Sequence, residues 1–113
     1  MRVTPGEVWW ARVNEERAVV VVLSTIEDDD ARAIIVVPPA ENPNEGVLVE
    51  VRLGAAEGLA AEGVVRVALP RPGFIPCQWL VTLSSEQLIE RVGALSPEKL
   101  SEVDDLLRRG GLG

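Results

Sequence analysis

The sequence predicts a mainly β chain of the α+β class: a small barrel of short strands with short helical pieces and a helix near the C-terminal end. Two observations predict it. Runs rich in valine, isoleucine, leucine and tryptophan recur along the chain, each bounded by glycine, proline or acidic residues. Only the last stretch shows a helical period, with Leu100, Val103, Leu106 and Leu107 falling on one face behind a Ser96-Pro97 start. With 113 residues the chain is long enough to bury a core without disulfides, and it reads as one domain over 1–113.

Glu7 to Val13 (EVWWARV) is the first predicted strand, opened by Pro5-Gly6. Asn14-Glu15-Glu16 is a short polar turn. Arg17 to Ser24 (RAVVVVLS) is almost unbroken in apolar residues and reads as a strand buried on both faces. Thr25 to Ala31 is an acidic loop. Arg32 to Val37 forms a third strand, stopped by Pro38-Pro39, and the stretch to Gly46 is loop. Val47 to Leu53 alternates as a fourth strand, Gly54 to Glu62 holds a helical turn or two, and Val64 to Leu69 is a fifth strand. Pro70 to Pro76 is a proline-rich loop, and Gln78 to Leu83 is a sixth strand. Ser84 with Gln87 fits a capping box, which predicts a short helix over SSEQLIER. Val92 to Leu95 is a final short strand before the closing helix, which Gly110 ends. Many short strands followed by helices suggest an SH3-like barrel with helical decoration.

Composition narrows the function. Histidine and tyrosine are absent and Cys77 is the single cysteine, which excludes Ser-His-Asp hydrolases, histidine- or thiolate-ligated zinc and an internal disulfide. No metal site and no cofactor is expected, because no phosphate-binding glycine pattern occurs either. The net charge of −7 makes a poor generic nucleic-acid binder, so basic groups that meet RNA must be gathered locally. All but Lys99 of the basic residues are arginines, whose forks grip phosphates well. The longest apolar run, Ala18 to Leu23, is too short for a membrane span and no charged-then-apolar leader is seen, so a cytoplasmic address away from membranes is the expectation.

Three stretches carry a family resemblance. PGEVWWARV, a turn and RAVVVVLS resemble the opening hairpin of MazF/PemK toxins. RAIIVVPP is similar to that family's third strand. WLVTLSSEQLIERVGALSPEKLSEVDDLLRRG resembles its closing run of strand, short helix, strand and final helix. The resemblance implies a barrel of the MazF/CcdB type and the toxin of a type II toxin–antitoxin pair. It further implies a homodimer that cuts single-stranded RNA at short sequences without a metal and docks a cognate antitoxin peptide.

Carried over by position, Arg17 occupies the place of the family's catalytic arginine, with Ala18 in place of the usual proline. The alternative for Arg17 is a hairpin-flanking residue that pairs with Glu15 or Glu16. The family's catalytic hydroxyl comes just after the third strand, where this chain has Pro38 and Pro39, and proline supplies neither a hydroxyl nor an N–H. Substitute hydroxyls are Ser24, at the end of the second strand, and Thr82, which matches a small hydroxyl residue in the family's sixth strand. Expected RNA contacts are Arg12, Thr25, Arg71, Gln78 and Trp79, the last by stacking on a base. Each of these also has a bland reading as a turn former, surface residue or packing residue. Trp9 and Trp10 must point to opposite faces of their strand, so one packs inward.

The same residues support two rival readings. A barrel without its hydroxyl could be a binding module that docks an antitoxin and cuts nothing. A CcdB-like gyrase inhibitor is disfavoured, because such action depends on an aromatic C-terminus and this chain ends Arg-Arg-Gly-Gly-Leu-Gly.

Overall fold

The computed structural model describes residues 3–25, 30–38, 48–68 and 79–109. Seven strands and one α-helix succeed one another: β1 (Glu7–Val13), β2 (Glu16–Thr25), β3 (Ala31–Ile35), β4 (Leu48–Leu53), β5 (Gly63–Ala68), β6 (Leu80–Leu83), β7 (Leu88–Ala94) and α1 (Pro97–Arg109). Short 3₁₀ turns at Ala55–Glu57 and Ser85–Gln87 precede β5 and β7. Strands β6-β3-β2-β1-β7 form a five-stranded antiparallel sheet, while β4 and β5 form a separate hairpin.

The sheet curls on itself. Its two edges, β6 and β7, are joined only by residues 84–87, although three strands lie between them in the ladder. The inner face carries Trp9, Ala11, Val20, Val22, Ala31, Ala33, Leu83 and Leu88, all buried, and this cluster is drawn from the sheet strands themselves. Alanines at three of these positions leave room for Trp9, which is 6% exposed, inside so narrow a barrel. Gln87 donates from Nε2 to the Arg12 carbonyl at 3.2 Å and so fastens the β6–β7 connection to β1.

The outer face holds the second core. Val8, Val21 and Ile34 from the sheet meet Leu53 and Val65 of the hairpin and Val103 and Leu106 of α1. Strand β2 therefore is buried on both faces, as its unbroken apolar run predicts: Val20 and Val22 point in, Val21 points out. The helix begins as its sequence predicts, with Ser96 Oγ accepting from the Lys99 N–H at 3.1 Å and Pro97 in the first position. No helix among the described residues is long and apolar enough to cross a membrane.

One predicted element is corrected. SSEQLIER is not a helix: Gln87 Oε1 accepts from the Ser84 N–H at 2.9 Å, but the helical geometry lasts only Ser85–Gln87 and the chain then enters β7. Pairing with β1 and burial of Leu88 inside the barrel outweigh the local capping signal. The Pro70 to Pro76 loop lies outside the described residues.

Two backbone contacts lock the periphery. Gly58, at φ +91°, lies so close to the Val92 carbonyl that any Cβ would collide with it; a Cβ at Gly93 would collide with the Glu57 carbonyl. Main chain thus meets main chain where the 3₁₀ turn after β4 docks on β7. The hairpin joins the sheet through Val37, which bridges Val64 by paired N–H to carbonyl bonds of 2.8 and 2.9 Å. Arg66 of β5 reinforces this junction. Its Nε lies 3.2 Å from Glu50 Oε1, its Nη2 donates to the Pro38 carbonyl at 3.4 Å, and its guanidinium lies over the Trp79 ring at 5.7 Å.

The β1–β2 turn puts Asn14 at φ 51° and Glu15 at φ 68°, the left-handed pair that a two-residue I′ hairpin requires. Asparagine tolerates that region and glutamate does not. Glu15→Gly is therefore expected to stabilise the fold by about 0.5–1 kcal/mol in a urea denaturation series. Arg66→Met, which strands the mostly buried Glu50 carboxylate, is expected to cost about 2 kcal/mol in the same assay. Arg52→Met, in the exposed pair with Glu62, is expected to change stability by less than about 0.5 kcal/mol.

Candidate nucleic-acid interface

The tight turn at Asn14-Glu15 fixes which residues meet across β1 and β2. Arg12 stands opposite Arg17 and Trp10 opposite Val19. Alternation puts all four on the outer face of the barrel, while Trp9 and Ala11 go inside. The Arg17 guanidinium lies over the Trp10 ring, 5.1 Å from its centroid. Such a stack holds a guanidinium in place yet leaves its N–H edge free to donate.

Two arginines directly opposite each other in a ladder repel, which costs stability. Among the described residues no carboxylate comes within ion-pair distance of either one. Both side chains are exposed, as are Glu15 and Glu16. The expected alternative, Arg17 paired with Glu15 or Glu16, is thus absent. Four acids, Glu98, Glu102, Asp104 and Asp105, are exposed on α1, which packs on β4 and β5, while Glu15 and Glu16 flank Arg17 and Glu90 stands opposite Trp10.

Beside the arginine pair runs an open groove of about 290 Å³. Trp10, Val19, Val36, Pro38 and Leu59 to Gly63 are among the residues that line it. Gly58 is part of the lining, and Gly63 lies so close to Val36 that a Cβ there would stand 2.6 Å from Val36 Cγ1. Glu62 is the one charged residue among the described residues that line it. The arrangement offers a strongly donating rim next to an apolar slot, which suits a phosphate at one end and a flat, hydrophobic-faced group at the other.

The structure brings together Arg12 and Arg17 of the expected site and adds Trp10 and Pro38 to it. Pro38 lines the groove near Arg17, where the resemblance expects a hydroxyl. Ser24, Thr25 and Thr82 lie elsewhere. Ser24 pairs with Arg32, which pairs with Thr82, and Thr25 pairs with Ala31. That cluster is at the opposite end of β2 from Arg17, about 23 Å away at the rise of a strand. Trp79 is half-buried, its carbonyl accepts from the Ile35 N–H at 2.9 Å, and one face of its ring is covered by Arg66. Arg71 and Gln78 lie outside the described residues.

Two residues at the site are not evident from sequence. Arg66 has a visible signal, an arginine inside the otherwise apolar VVRVAL, but its partners Glu50, Pro38 and Trp79 are remote along the chain. Glu62 gives no signal, because only the fold of the hairpin onto β7 brings the loop before β5 to the groove. Among the described residues no group of three or more His, Cys, Asp or Glu is placed to hold a metal ion.

Comparison with known proteins agrees with this architecture. A family model described as PemK-like, MazF-like toxin of type II toxin–antitoxin system matches residues 4–110. Among solved structures, an endoribonuclease in complex with its cognate antitoxin, from a mycobacterial species, superposes with a TM-score of 0.65 at 15% sequence identity. The alignment covers 100% of this chain and 98% of that one, and at such low identity it shows a shared fold. No curated protein matches the chain. A curled sheet backed by a C-terminal helix, an arginine at the head of β2 and a family match that takes in nearly every residue lead to one assignment: the chain belongs to the PemK-like, MazF-like toxins of type II toxin–antitoxin systems.

Proposed function

We propose that this toxin is a metal-independent endoribonuclease that cuts single-stranded RNA in the cytoplasm. It acts as a homodimer and is restrained by a cognate antitoxin peptide. The observation that carries the proposal is the Arg17 guanidinium, without a carboxylate partner among the described residues and stacked at 5.1 Å on Trp10, which itself lines an apolar groove.

In this reading the ribose 2′-hydroxyl attacks the adjacent phosphorus in line and the 5′-oxygen leaves, giving a 2′,3′-cyclic phosphate and a 5′-hydroxyl. Negative charge builds on the non-bridging oxygens of the phosphorane. Arg17 donates to them, and its stacked position spares it reorganisation as the charge develops. Arg12 holds the same phosphate or its neighbour. Within one protomer Ser24, Thr25 and Thr82 do not reach this phosphate, so a hydroxyl from that end enters the chemistry only across a dimer interface. The net charge of −7 favours a basic antitoxin segment, and the family membership supports the pairing.

Purified protein with a mixed RNA in EDTA is expected to yield fragments ending in 2′,3′-cyclic phosphate. Arg17→Ala is expected to lower the cleavage rate by about 10²–10³-fold, the typical cost of removing one oxyanion donor. RNA that stays intact at high protein concentration, yet is bound, would leave the non-cutting binding module as the reading, with Pro38 in the hydroxyl's place as its reason.

A further inference from the structure

We propose that Glu62 is a specificity-determining residue that selects guanine in the groove beside Arg17. The inference rests on the reading of this groove as an RNA site and names the base it takes. The groove is chemically polarised. Trp10 lines it and carries the Arg17 guanidinium on its ring, and much of the remaining lining is apolar, with Val36, Pro38 and Leu59 among it. Glu62 lines the same groove and is the single charged residue among its described lining.

A carboxylate repels phosphate, so in an RNA site its useful partner is a base edge. An ionised carboxylate is an acceptor only. It therefore needs donors, and it matches best a base that presents two of them side by side. Guanine does so with N1–H and the 2-amino group. Adenine and cytosine offer one amino donor next to an acceptor nitrogen on that edge, and uracil offers a lone N–H between two carbonyls. Single-stranded RNA exposes this edge for reading.

The charges set the orientation in this inference. The phosphate goes to the arginines, the base lies on the apolar walls, and its Watson–Crick edge faces Glu62. Arg52 Nη1 donates to Glu62 Oε1 at 3.1 Å in an exposed ion pair. Glu62 Oε2 has no hydrogen-bond partner among the described residues.

The test uses short 2′-O-methyl oligoribonucleotides, which lack the attacking hydroxyl and report binding alone. Four sequences differ in one base, and a fifth carries inosine, which lacks the 2-amino group. Binding is monitored by tryptophan fluorescence. The guanine oligonucleotide is expected to bind the unmodified protein about tenfold more tightly than the others, inosine included. Glu62→Gln and Glu62→Ala should both abolish that preference while leaving the weaker oligonucleotides within about twofold. Binding with no preference for guanine, or with a preference that both variants retain, overturns the inference but leaves the RNA site intact. Failure of every oligonucleotide to bind overturns both, and loss of binding in Arg17→Ala separates a true groove complex from contact elsewhere.

Discussion

The register of the β1–β2 hairpin is the constraint on which the site depends. A two-residue turn sets it, and alternation does the rest: Trp9 and Ala11 enter the barrel while Trp10, Arg12, Arg17 and Val19 stay outside. A slip of one residue would drive two guanidinium groups into an interior filled by valine and alanine and would leave Trp9 in water. The apolar cores on both sides of β2 forbid that slip. The strain of a glutamate at positive φ is small beside them, so the turn can hold an unfavourable residue without losing its register.

That register also resolves a conflict in the composition. A chain with a net charge of −7 should repel a polyanion at long range. At physiological salt, charges beyond roughly 8 Å are largely screened, so a phosphate seated in the groove responds mainly to what is close to it. Close to it are two arginines without carboxylate partners among the described residues. Four exposed acids lie on the helix, which packs on the hairpin.

Much of the fold was legible in the sequence. Strand β1 occupies Glu7–Val13 as expected, and the doubly buried β2 and the capped C-terminal helix are consequences of apolar patterning and of Ser96-Pro97. The segment SSEQLIER marks where that legibility stops. Ser84 and Gln87 do make their local contact, but a capping signal specifies a first turn and not how far the helix continues beyond it. Leu88 is wanted inside the barrel and β1 has a free edge, and neither fact is local. The site divides in the same way. Arg17 is singled out by the resemblance of the opening hairpin to MazF/PemK toxins, since its place after a turn alone reads equally as a hairpin-flanking arginine. The position of Ser24 and Thr82 relative to it required knowing which end of an antiparallel ladder each occupies. Glu62 and Arg66 required the hairpin to be docked first, through pairings such as Val37 with Val64 that no periodicity announces.

The docking of Gly58 on Gly93 has a bearing on how such a protein could diversify. The contact is made by main chain on both sides; Leu59, next in the chain, packs on the core, whereas Ala60, Ala61 and Glu62 are exposed. The anchor and the reading surface are adjacent in the chain but independent in chemistry. Substitutions at Ala60, Ala61 and Glu62 therefore alter the lining of the slot while the anchor and the scaffold stay the same.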